Sequence, residues 1–406
     1  MATIKPFQPY RYTSKAGDPA NLLTQPYDKI NPAMQAKYLA ASPYNLVRVI
    51  LGERDSSDNS SDNVYTRAAK HLNDWIQEGV LAQDRKPGLY AYFQDFAVPD
   101  TNERATRMGF IGIGKVEEYS AGVVYRHEQT LSGPKKDRLE VLRHTGAHFG
   151  QIFMLYPDKA GEVDHVLNNA ARDVPVLDIL DDYQARHRLW PITDPATIQR
   201  IQELMSDKKL LIADGHHRYE TALNYRKENP GKASAEYVMM TFINMYSPGL
   251  KILATHRVLR GLEGFQAAAL LAKARASGWT VQEGMPGPSD PKRVQIGLVA
   301  GTRSYVLERP RRDGELDVPV LHTEILEGLL GITEEAVREE RHITYVRGAD
   351  AAVAEVREKG AQAAFLLEPT PIEEMARIAF AGGVMPQKST DFYPKLLTGV
   401  TIYKLD

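Results

Sequence analysis

Acid, imidazole and guanidinium side chains follow one another between an apolar run and a helical pattern near the middle of the chain. Residues 210–213 predict a buried strand, Asp214-Gly215 predicts a tight turn, and a helical period begins at His217. Such a turn places its side chains at a helix N-terminus, where free N–H groups and the helix dipole favour an anion. The predicted anion site consists of Asp214, Gly215, His216, His217 and Arg218.

These side chains suit the transfer of a phosphate group. Arg218 can hold two phosphate oxygens with its planar fork. His216 can carry a proton near neutral pH, and Asp214 can accept a hydroxyl proton or hold a magnesium ion. The alternative is a plain turn in which Asp214 caps the helix and the histidines lie on the surface. The strand-turn-helix context and the arginine that follows favour the functional interpretation.

A second polar stretch precedes a predicted helix over residues 134–145. His127 and Glu128 lie in the loop before it, and Lys135 and Arg138 share its first turns. The loop therefore offers an acid and a base, and the helix start offers two cations for an anionic ligand. The alternative is a solvated helix with a charged face.

A third polar stretch lies near the C-terminus, before a predicted last strand over 396–405. Lys388, Ser389, Thr390 and Lys395 can donate hydrogen bonds to an anion from this loop. The glycine and helix signals of a phosphate-binding Walker loop are incomplete here, so that assignment is rejected. An anion-binding loop and an ordinary connecting loop both remain open.

The remaining site candidates lie on a predicted hairpin formed by residues 237–245 and 250–259. Strand alternation places His256 on the face opposite Arg257, and one of these faces could meet the central motif. The alternative for His256 is a core histidine with satisfied hydrogen bonds. Earlier in the chain, residues 46–51 predict another strand.

Length and composition indicate a globular protein of several domains. The 406 residues predict an N-terminal lobe at 1–192, a central motif region packed on it at 193–262, and a C-terminal lobe at 263–406. Alternating helices and strands predict an α/β fold with an α+β tendency, in which mixed and antiparallel sheets are flanked by helices.

Charge and cysteine usage exclude several classes of function. The net charge of −2 argues against a nucleic-acid partner, and the absence of cysteine excludes thiolate chemistry. Neither a signal peptide nor a membrane helix is predicted, so we expect a cytoplasmic protein without a membrane partner. No oligomeric state follows from the sequence.

Several blocks of sequence, spread over nearly the whole chain, resemble the bacterial and archaeal family catalogued as domain of unknown function 1015. They read Gln-Pro-Tyr-Asp at 25–28, Arg-His-Glu-Gln-Thr at 126–130, Pro-Lys-Lys-Asp-Arg-Leu at 134–139, Asp-Gly-His-His-Arg-Tyr-Glu-Thr-Ala at 214–222, Thr-His-Arg-Val at 255–258, and Met-Pro-Gln-Lys-Ser-Thr-x-Phe-Tyr-Pro-Lys at 385–395. The resemblance implies a cytoplasmic setting.

The central block also resembles the Gly-x-His-Arg helix start of the ParB/sulfiredoxin-like superfamily, whose members bind nucleotide phosphates there. Gly215, His217 and Arg218 match this pattern. His216 stands where sulfiredoxin carries its cysteine, so sulfiredoxin chemistry is excluded. Asp214 precedes the glycine as in the free-serine kinases of this group. The resemblance implies a ParB/sulfiredoxin-like strand-turn-helix and a bound nucleotide phosphate.

The leading hypothesis is therefore a nucleotide-dependent phosphotransferase that uses Mg²⁺ and ATP or ADP. Its substrate would be a small phosphorylated or hydroxylated metabolite, with serine or phosphoserine first by analogy. The alternatives are a phosphatase acting on the same kind of ester and a non-catalytic nucleotide-sensing module. The predicted catalytic residues are Asp214, His216, His217, Arg218, His127 and Glu128, and the predicted binding residues are Gly215, Lys135, Arg138, His256, Arg257, Lys388, Ser389, Thr390 and Lys395.

Overall fold

The computed structural model describes residues 2–128, 133–288 and 290–406, with side chains omitted at 133–135. The chain divides into two compact units. Counting only the described residues, the first unit comprises Met1–Arg126, Thr130–Leu250 and Pro394–Asp406. The second unit comprises His127–Gln129 and Lys251–Tyr393. The C-terminal segment thus returns to the first unit.

Strands make up much of both units. In chain order they are β1 (Ile4–Lys5), β2 (Tyr10–Tyr12), β3 (Leu81–Gln83), β4 (Leu89–Ala97), β5 (Arg104–Lys115), β6 (Val124–Arg126), β7 (Ala147–His148), β8 (Ile152–Tyr156), β9 (Leu177–Leu180), β10 (Arg186–Ile192), β11 (Leu210–Asp214), β12 (Tyr237–Asn244), β13 (Lys251–Leu253), β14 (Thr255–Leu259), β15 (Thr280–Glu283), β16 (Arg293–Ala300), β17 (Arg303–Pro310), β18 (Ile343–Arg347), β19 (Ala363–Leu366), β20 (Asp391–Tyr393) and β21 (Tyr403–Lys404).

Helices connect and cover these strands. They are α1 (Pro32–Ala41), α2 (Val47–Ile50), α3 (Val64–Gln77), α4 (Gly133–Thr145), α5 (Glu162–Ala170), α6 (Pro195–Met205), α7 (His216–Glu228), α8 (Ala267–Ala276), α9 (Asp317–Val320), α10 (Glu334–Arg338), α11 (Ala349–Arg357) and α12 (Ile372–Phe380). A π-helical segment, Leu321–Glu327, follows α9, and short 3-10 turns lie at Ser14–Ala16, Pro19–Asn21, Tyr27–Lys29, Tyr119–Ala121 and Ala233–Glu236.

The first unit is built on one mixed sheet in the order β6-β11-β8-β12-β5-β4-β10-β9, with β1 added beside β5. The pairs β11–β6 and β12–β8 are parallel and the other ladders are antiparallel. Its core contains apolar side chains of the central strands together with those of α5, α6 and α7. Helix α4 packs against α3 and α7. The site helix α7 therefore lies between a buried sheet and a second helix.

The second unit has its own sheet, in the order β15-β17-β16-β19-β14-β18, and a separate ladder between β13 and β20. All pairs in this larger sheet are antiparallel. Its core joins apolar side chains of α8, α9, α10 and the π-helical segment to the sheet. The predicted mixed and antiparallel sheets flanked by helices are thus confirmed for the coarse fold, and the ParB/sulfiredoxin-like assignment stays a prediction.

One predicted strand, residues 46–51, is wrong, because this segment forms the short helix α2. The side chain of Asn45 accepts the backbone N–H of Val47 at 2.9 Å, which starts a helical turn. Ile50 and its apolar neighbours then pack in a core shared with α3. A short apolar run has no period long enough to separate a strand from a buried helix, which explains the error.

The predicted hairpin between residues 237–245 and 250–259 is also wrong. Strand β12 is flanked on one edge by β5 and on the other by β8, so both edges are occupied within the first unit. The following strands β13 and β14 pair with β20, β18 and β19 of the second unit. Residues 246–249 therefore connect β12 to a strand of a different sheet, and no hairpin forms.

The predicted last strand, 396–405, is mostly absent. Only Tyr403–Lys404 forms a strand, paired with β7. The preceding residues make single bridges to different partners, Thr398 to Thr24 and Ile402 to Tyr10. Apolar burial without one continuous partner gives a strand-like sequence pattern but no ladder.

Within the described ranges, none of the helices has the length and apolar character needed to span a bilayer. The predicted division into lobes at 192/193 and 262/263 stays a prediction.

Candidate functional site

The centre of the first unit's site is the bend between β11 and α7. Gly215 has φ +95°, a left-handed conformation that glycine adopts without a Cβ clash, and the helix begins at the next residue. A Cβ built on Gly215 would lie 3.0 Å from Nη2 and 3.1 Å from Cζ of Arg218. The guanidinium therefore folds back across the bend and covers the glycine.

Two bonds hold Arg218 in this position. Its Nη2 donates to Oδ2 of Asp214 at 3.0 Å, and its Nη1 donates to the backbone oxygen of Gln151. The other carboxylate oxygen of Asp214 lies 3.8 Å from Nζ of Lys395. The Asp214 carboxylate thus lies between two cations. One of them, Arg218, also donates to Gln151, the residue that precedes strand β8.

The environment of Asp214 keeps it ionised. Burial alone would raise its pKa, but the charges of Lys395, Arg218, Lys29 and His216 outweigh burial and hold the pKa well below its usual range. A general base works best with a pKa near the operating pH. Asp214 is therefore better suited to orient Arg218 or to hold a cation than to accept a proton.

We expect the ion pairs of Asp214 to make stability depend on acid pH. An unfolded Asp has a pKa of about 3.9 and the folded value is lower, so the stabilisation is complete above about pH 4 and is lost as the pH falls through the folded pKa. The melting temperature of wild type and Asp214→Asn, followed from neutral pH into acid, should converge at the acid end. A gap that stays constant with pH would contradict this assignment.

Lys395 is placed by a buried polar network. Its backbone oxygen accepts from Nε2 of Gln94 at 2.9 Å, and the backbone oxygen of Pro394 accepts from Arg107. Nε of Arg107 also donates to Oε1 of Gln94 at 3.0 Å, and its guanidinium stacks 4.7 Å from the ring centroid of Phe153. Burial lowers the pKa of Arg107 to about 9. This network on β4 and β5 fixes the segment that carries Lys395.

Gln151 adds an unusual feature beside Arg218. Its side chain is fully buried, and neither amide atom has a hydrogen-bond partner among the described residues. A buried polar group without a partner costs about 1–3 kcal/mol. The amide of Gln151 can therefore form hydrogen bonds to a water molecule or a ligand atom beside Arg218.

A cleft opens beside Arg218, and Arg138 lies on its wall. The Arg138 guanidinium stacks 4.2 Å from the ring centroid of Tyr27 and donates to the backbone oxygen of Ile50 at 2.6 Å. The cleft is partly open to solvent and has a cavity volume of about 70 Å³. It is lined by Pro26, Tyr27, Ile50, Arg138, Val141, Leu142, Ala147, His148, Phe149, Gly150, Arg218, Thr221 and Thr398.

Tyr27 stays protonated in this cleft. Burial raises its pKa to about 12, with a further rise from Asp28, although Arg138 and Arg218 pull in the opposite direction. The hydroxyl is therefore a hydrogen-bond donor at neutral pH.

The two histidines of the motif have different surroundings. His216 is buried, and its protonated form helps to lower the pKa of Asp214. His217 is half-buried, and its backbone oxygen accepts from Oγ1 of Thr221 at 2.8 Å. His216 therefore interacts electrostatically with Asp214.

The second unit gathers the other predicted polar blocks. Nε2 of His127 lies 2.8 Å from Oγ1 of Thr390, and the backbone oxygen of His127 accepts from the N–H of Met385 at 2.7 Å. Oε1 of Glu128 accepts from the N–H of Lys388 at 3.0 Å. Lys388 has φ +58°, which is uncommon for a residue with a side chain. His127 and Glu128 therefore hold the 385–390 loop in a defined shape.

Arg257 supports the same loop from β14. It is buried, donates from Nη2 to the backbone oxygen of Lys388 at 3.1 Å, and donates from Nε to Nε2 of His322 at 3.3 Å. Burial lowers the pKa of Arg257 to about 10, and burial followed by the charge of Arg257 lowers the pKa of His322 to about 3. His322 is thus a neutral acceptor, and the Lys388 peptide is held on both sides.

Two predicted binding residues make contacts that serve the fold. Nδ1 of His256 accepts from the N–H of Leu367 at 3.2 Å, which fits the core-histidine alternative. Oγ of Ser389 donates to the backbone oxygen of Pro386 at 2.6 Å within its own loop. Lys135 lies in α4, but its side chain is outside the described part of the chain.

The predicted site residues therefore fall into two groups. The first unit brings together Asp214, Gly215, His216, Arg218, Arg138 and Lys395. The second unit brings together His127, Glu128, Arg257, Lys388 and Thr390. Sequence reasoning missed the contributions of Tyr27, Lys29, Gln94, Arg107 and Gln151 in the first unit.

Among the described residues, no group of three or more acidic or histidine side chains is arranged to hold a metal ion. Mg²⁺ in phosphate-transfer sites is commonly bound by one or two carboxylates together with substrate phosphates and water. Asp214 stays ionised and can therefore serve as one such carboxylate.

Residues 4–328 match the profile of the family described as "Protein of unknown function (DUF1015)". No curated protein matches the chain in sequence.

Solved structures show only distant likeness. A conserved hypothetical protein from Pyrococcus furiosus has a TM-score of 0.36 at 14% identity, over 66% of this chain and 87% of its own. A free serine kinase in complex with AMP has a TM-score of 0.36 at 14% identity, over 68% and 89%. SbnI with a C-terminal truncation, from Staphylococcus aureus, has a TM-score of 0.37 at 11% identity, over 72% and 87%. The activities of those proteins are properties of those proteins.

Proposed function

We propose, for a chain that belongs to the DUF1015 family of proteins of unknown function, a nucleotide-dependent phosphotransferase activity on a small hydroxylated metabolite. Serine is the first candidate acceptor, by the resemblance of Asp214-Gly215-x-His217-Arg218 to the helix start of free-serine kinases. The proposed setting is cytoplasmic, with a small-molecule partner and no nucleic acid.

The observation that carries this proposal is the fixed position of Arg218 over Gly215. Asp214 and the Gln151 backbone oxygen each bind one end of the guanidinium, so it does not need to reorganise when an anion arrives. Lys395 adds a second cation at the same carboxylate. A preorganised cation pair at a helix N-terminus suits a phosphoryl group, whose charge is spread over its equatorial oxygens.

The proposed reaction balances as a simple phosphoryl transfer. A bond forms between the acceptor hydroxyl oxygen and the terminal phosphorus, and the bond from that phosphorus to the bridging oxygen of the nucleotide breaks. Arg218 and Lys395 neutralise the transferring group, and the neutral imidazole form of His216 accepts the hydroxyl proton. Mg²⁺, held by Asp214, would supply further charge neutralisation at the nucleotide phosphates.

The direct test is incubation of the pure protein with Mg²⁺, ATP or ADP, and serine, followed by ³¹P NMR for phosphoserine. A parallel reaction contains phosphoserine and the nucleotide product, because a phosphotransferase must also run in reverse. Phosphoserine formation is the expected result. The proposal is overturned if no nucleotide binds and no phosphate moves in either direction.

Two other outcomes would replace the proposal with the alternatives raised from the sequence. Release of inorganic phosphate from phosphoserine without any nucleotide would indicate a phosphatase. Nucleotide binding without turnover of any hydroxylated acceptor would indicate a sensing module.

A further inference from the structure

His187 on β10 contacts two side chains that hold the segment carrying Lys395. The imidazole is fully buried, and its Nδ1 lies 2.6 Å from Oη of Tyr92 and 3.3 Å from Nε2 of Gln94. Gln94 donates from Nε2 to the backbone oxygen of Lys395 at 2.9 Å. Oη of Tyr92 accepts from the N–H of Leu397 at 3.4 Å. Two hydrogen bonds to this segment therefore come from side chains that meet at one ring nitrogen.

The orientation of the Gln94 amide is fixed by its other partners. A guanidinium can only donate hydrogen bonds, and Nε of Arg107 donates to Oε1 of Gln94 at 3.0 Å. A backbone oxygen can only accept, so the oxygen of Lys395 requires the NH₂ end of the amide. These two constraints agree, and both turn Nε2 of Gln94 toward His187. Nδ1 of His187 must therefore be the unprotonated, accepting nitrogen of the ring.

The proton of the neutral ring then lies on Nε2, and this side of the ring faces an acid. Nε2 lies 3.3 Å from Oδ2 of Asp181, and the contact is electrostatic, since Nε2 has no hydrogen bond among the described residues. Burial would raise the pKa of Asp181, but His187 and two backbone N–H groups outweigh burial and lower the pKa. Burial lowers the pKa of His187 despite the opposing charge of Asp181, so the ring is neutral at pH 7. Charge and hydrogen-bond direction thus select the same tautomer.

Tyr92 depends on the same ring nitrogen. Burial raises the pKa of Tyr92, so its hydroxyl keeps the proton at neutral pH and donates it to Nδ1 of His187. Without that nitrogen, the hydroxyl of Tyr92 and one N–H of Gln94 would be buried without an acceptor, which is costly. Both side chains would then turn to other acceptors and release the segment. Such a release would move Nζ of Lys395 away from the carboxylate of Asp214, which lies 3.8 Å away in the structure.

We propose that His187 is a positioning residue for Lys395 and acts through Gln94 and Tyr92. This inference rests on the proposed function for the part that Lys395 plays in neutralising the transferring phosphate. Because His187 is fully buried, it acts through these side chains and not on a reactant.

A double-mutant cycle with Lys395→Met tests this role. His187→Phe keeps a ring but removes the acceptor, and it should lower kcat for phosphoserine formation by about tenfold or more, because small displacements of a charged group are costly in rate. Lys395→Met alone should lower kcat by about 100-fold. Added to Lys395→Met, His187→Phe should cause less than about a twofold further loss, because its effect passes through Lys395.

Two further variants separate positioning from ordinary loss of stability. His187→Asn can place its side-chain oxygen near the position of Nδ1, so it should lose less activity than His187→Phe. Ile192→Ala removes a buried side chain from the opposite face of the same strand, and it should lower the melting temperature and keep kcat within a factor of about two. The inference is overturned if Ile192→Ala loses as much activity as His187→Phe, or if the double variant shows the full further loss.

Amide hydrogen exchange of residues 395–397 in the full chain gives a readout that needs no catalysis. His187→Phe should speed exchange there by about tenfold or more, and Ile192→Ala should leave it close to wild type under the same native conditions. If His187→Phe does not fold, Gln94→Met takes its place with the same expectations, because it removes the amide and keeps the chain length.

Failure of this inference is distinguishable from failure of the proposed function. Faster exchange at 395–397 in His187→Phe, together with no phosphate transfer by wild type, would leave the positioning role standing and overturn the phosphotransferase. Phosphate transfer by wild type, together with unchanged exchange at 395–397 in both His187→Phe and Gln94→Met, would do the reverse.

Discussion

Replacement of Arg218 by alanine is expected to lower the rate of phosphate transfer by about 100-fold or more, the loss typical of removing one preorganised donor to a transition state. The guanidinium is held over Gly215 by Asp214 and by the Gln151 backbone oxygen. Because the transferring group gains charge density at its oxygens, this loss should appear mainly in kcat. The rate of phosphoserine formation at saturating nucleotide measures it.

Two further variants make the result specific. Arg218→Lys keeps the charge but cannot bind Asp214 and the Gln151 oxygen at the same time as two phosphate oxygens, so it should recover only part of the rate. Arg143→Ala removes an exposed arginine that pairs with Glu140 and Glu228, and its rate should match wild type. If Arg218→Ala keeps its melting temperature and more than half of the rate, Arg218 is not part of the transfer machinery.

Long periodic segments of this fold were predictable from the sequence, and short ones were not. The helical pattern over residues 134–145 extends over enough residues to identify α4. The segment that forms α2 is too short for its hydrophobic period to distinguish a helix from a strand. The hydrogen bond from the Val47 N–H to the Asn45 side chain favours the helix. The partner of β12 was set by the two other strands that occupy its edges, which no local pattern reveals.

In the site, contacts between sequence neighbours were predictable, and contacts between residues distant in sequence were not. Asp214, Gly215 and Arg218 are neighbours in sequence, and a strand, a bend and a helix place them within one turn, so their proximity was predictable. Lys395 lies near Asp214, and Gln94 and Arg107 hold the backbone of Lys395 and Pro394 in place. In the sequence, Gln94 and Arg107 look like ordinary positions of a strand.

Tyr27 and Lys29 were missed for a different reason. A turn-like Gln-Pro-Tyr-Asp segment indicated a loop, and loops with fixed geometry often carry functional side chains. Nothing in the sequence indicated that this loop would bring Tyr27 against Arg138 or the charge of Lys29 near Asp214. That arrangement depends on tertiary packing across more than a hundred residues of chain.

Replacement of Gly215 by alanine should abolish most of the transfer activity at a modest cost in stability. Its φ of +95° is unfavourable for a residue with a Cβ, at about 1–2 kcal/mol. The added Cβ would also lie 3.0–3.1 Å from the Arg218 guanidinium, which is closer than ordinary contact. The atoms that it meets are the end of a flexible side chain, so the guanidinium and not the backbone would move. A displacement of about 1 Å costs on the order of 100-fold in rate.

Gly231 provides a matched control just beyond the other end of the same helix. Its φ is +86°, and a Cβ there would meet nothing within 4 Å. Gly231→Ala should therefore lose stability for the same backbone reason, about 1–2 kcal/mol, and keep transfer within a factor of about two. Denaturant unfolding and phosphoserine formation on the two variants separate backbone strain from displacement of Arg218. Equal activity losses in both variants would mean that backbone strain at either end of α7 lowers the activity. Displacement of the Arg218 guanidinium would then not be the cause, which would contradict its proposed role in phosphate transfer.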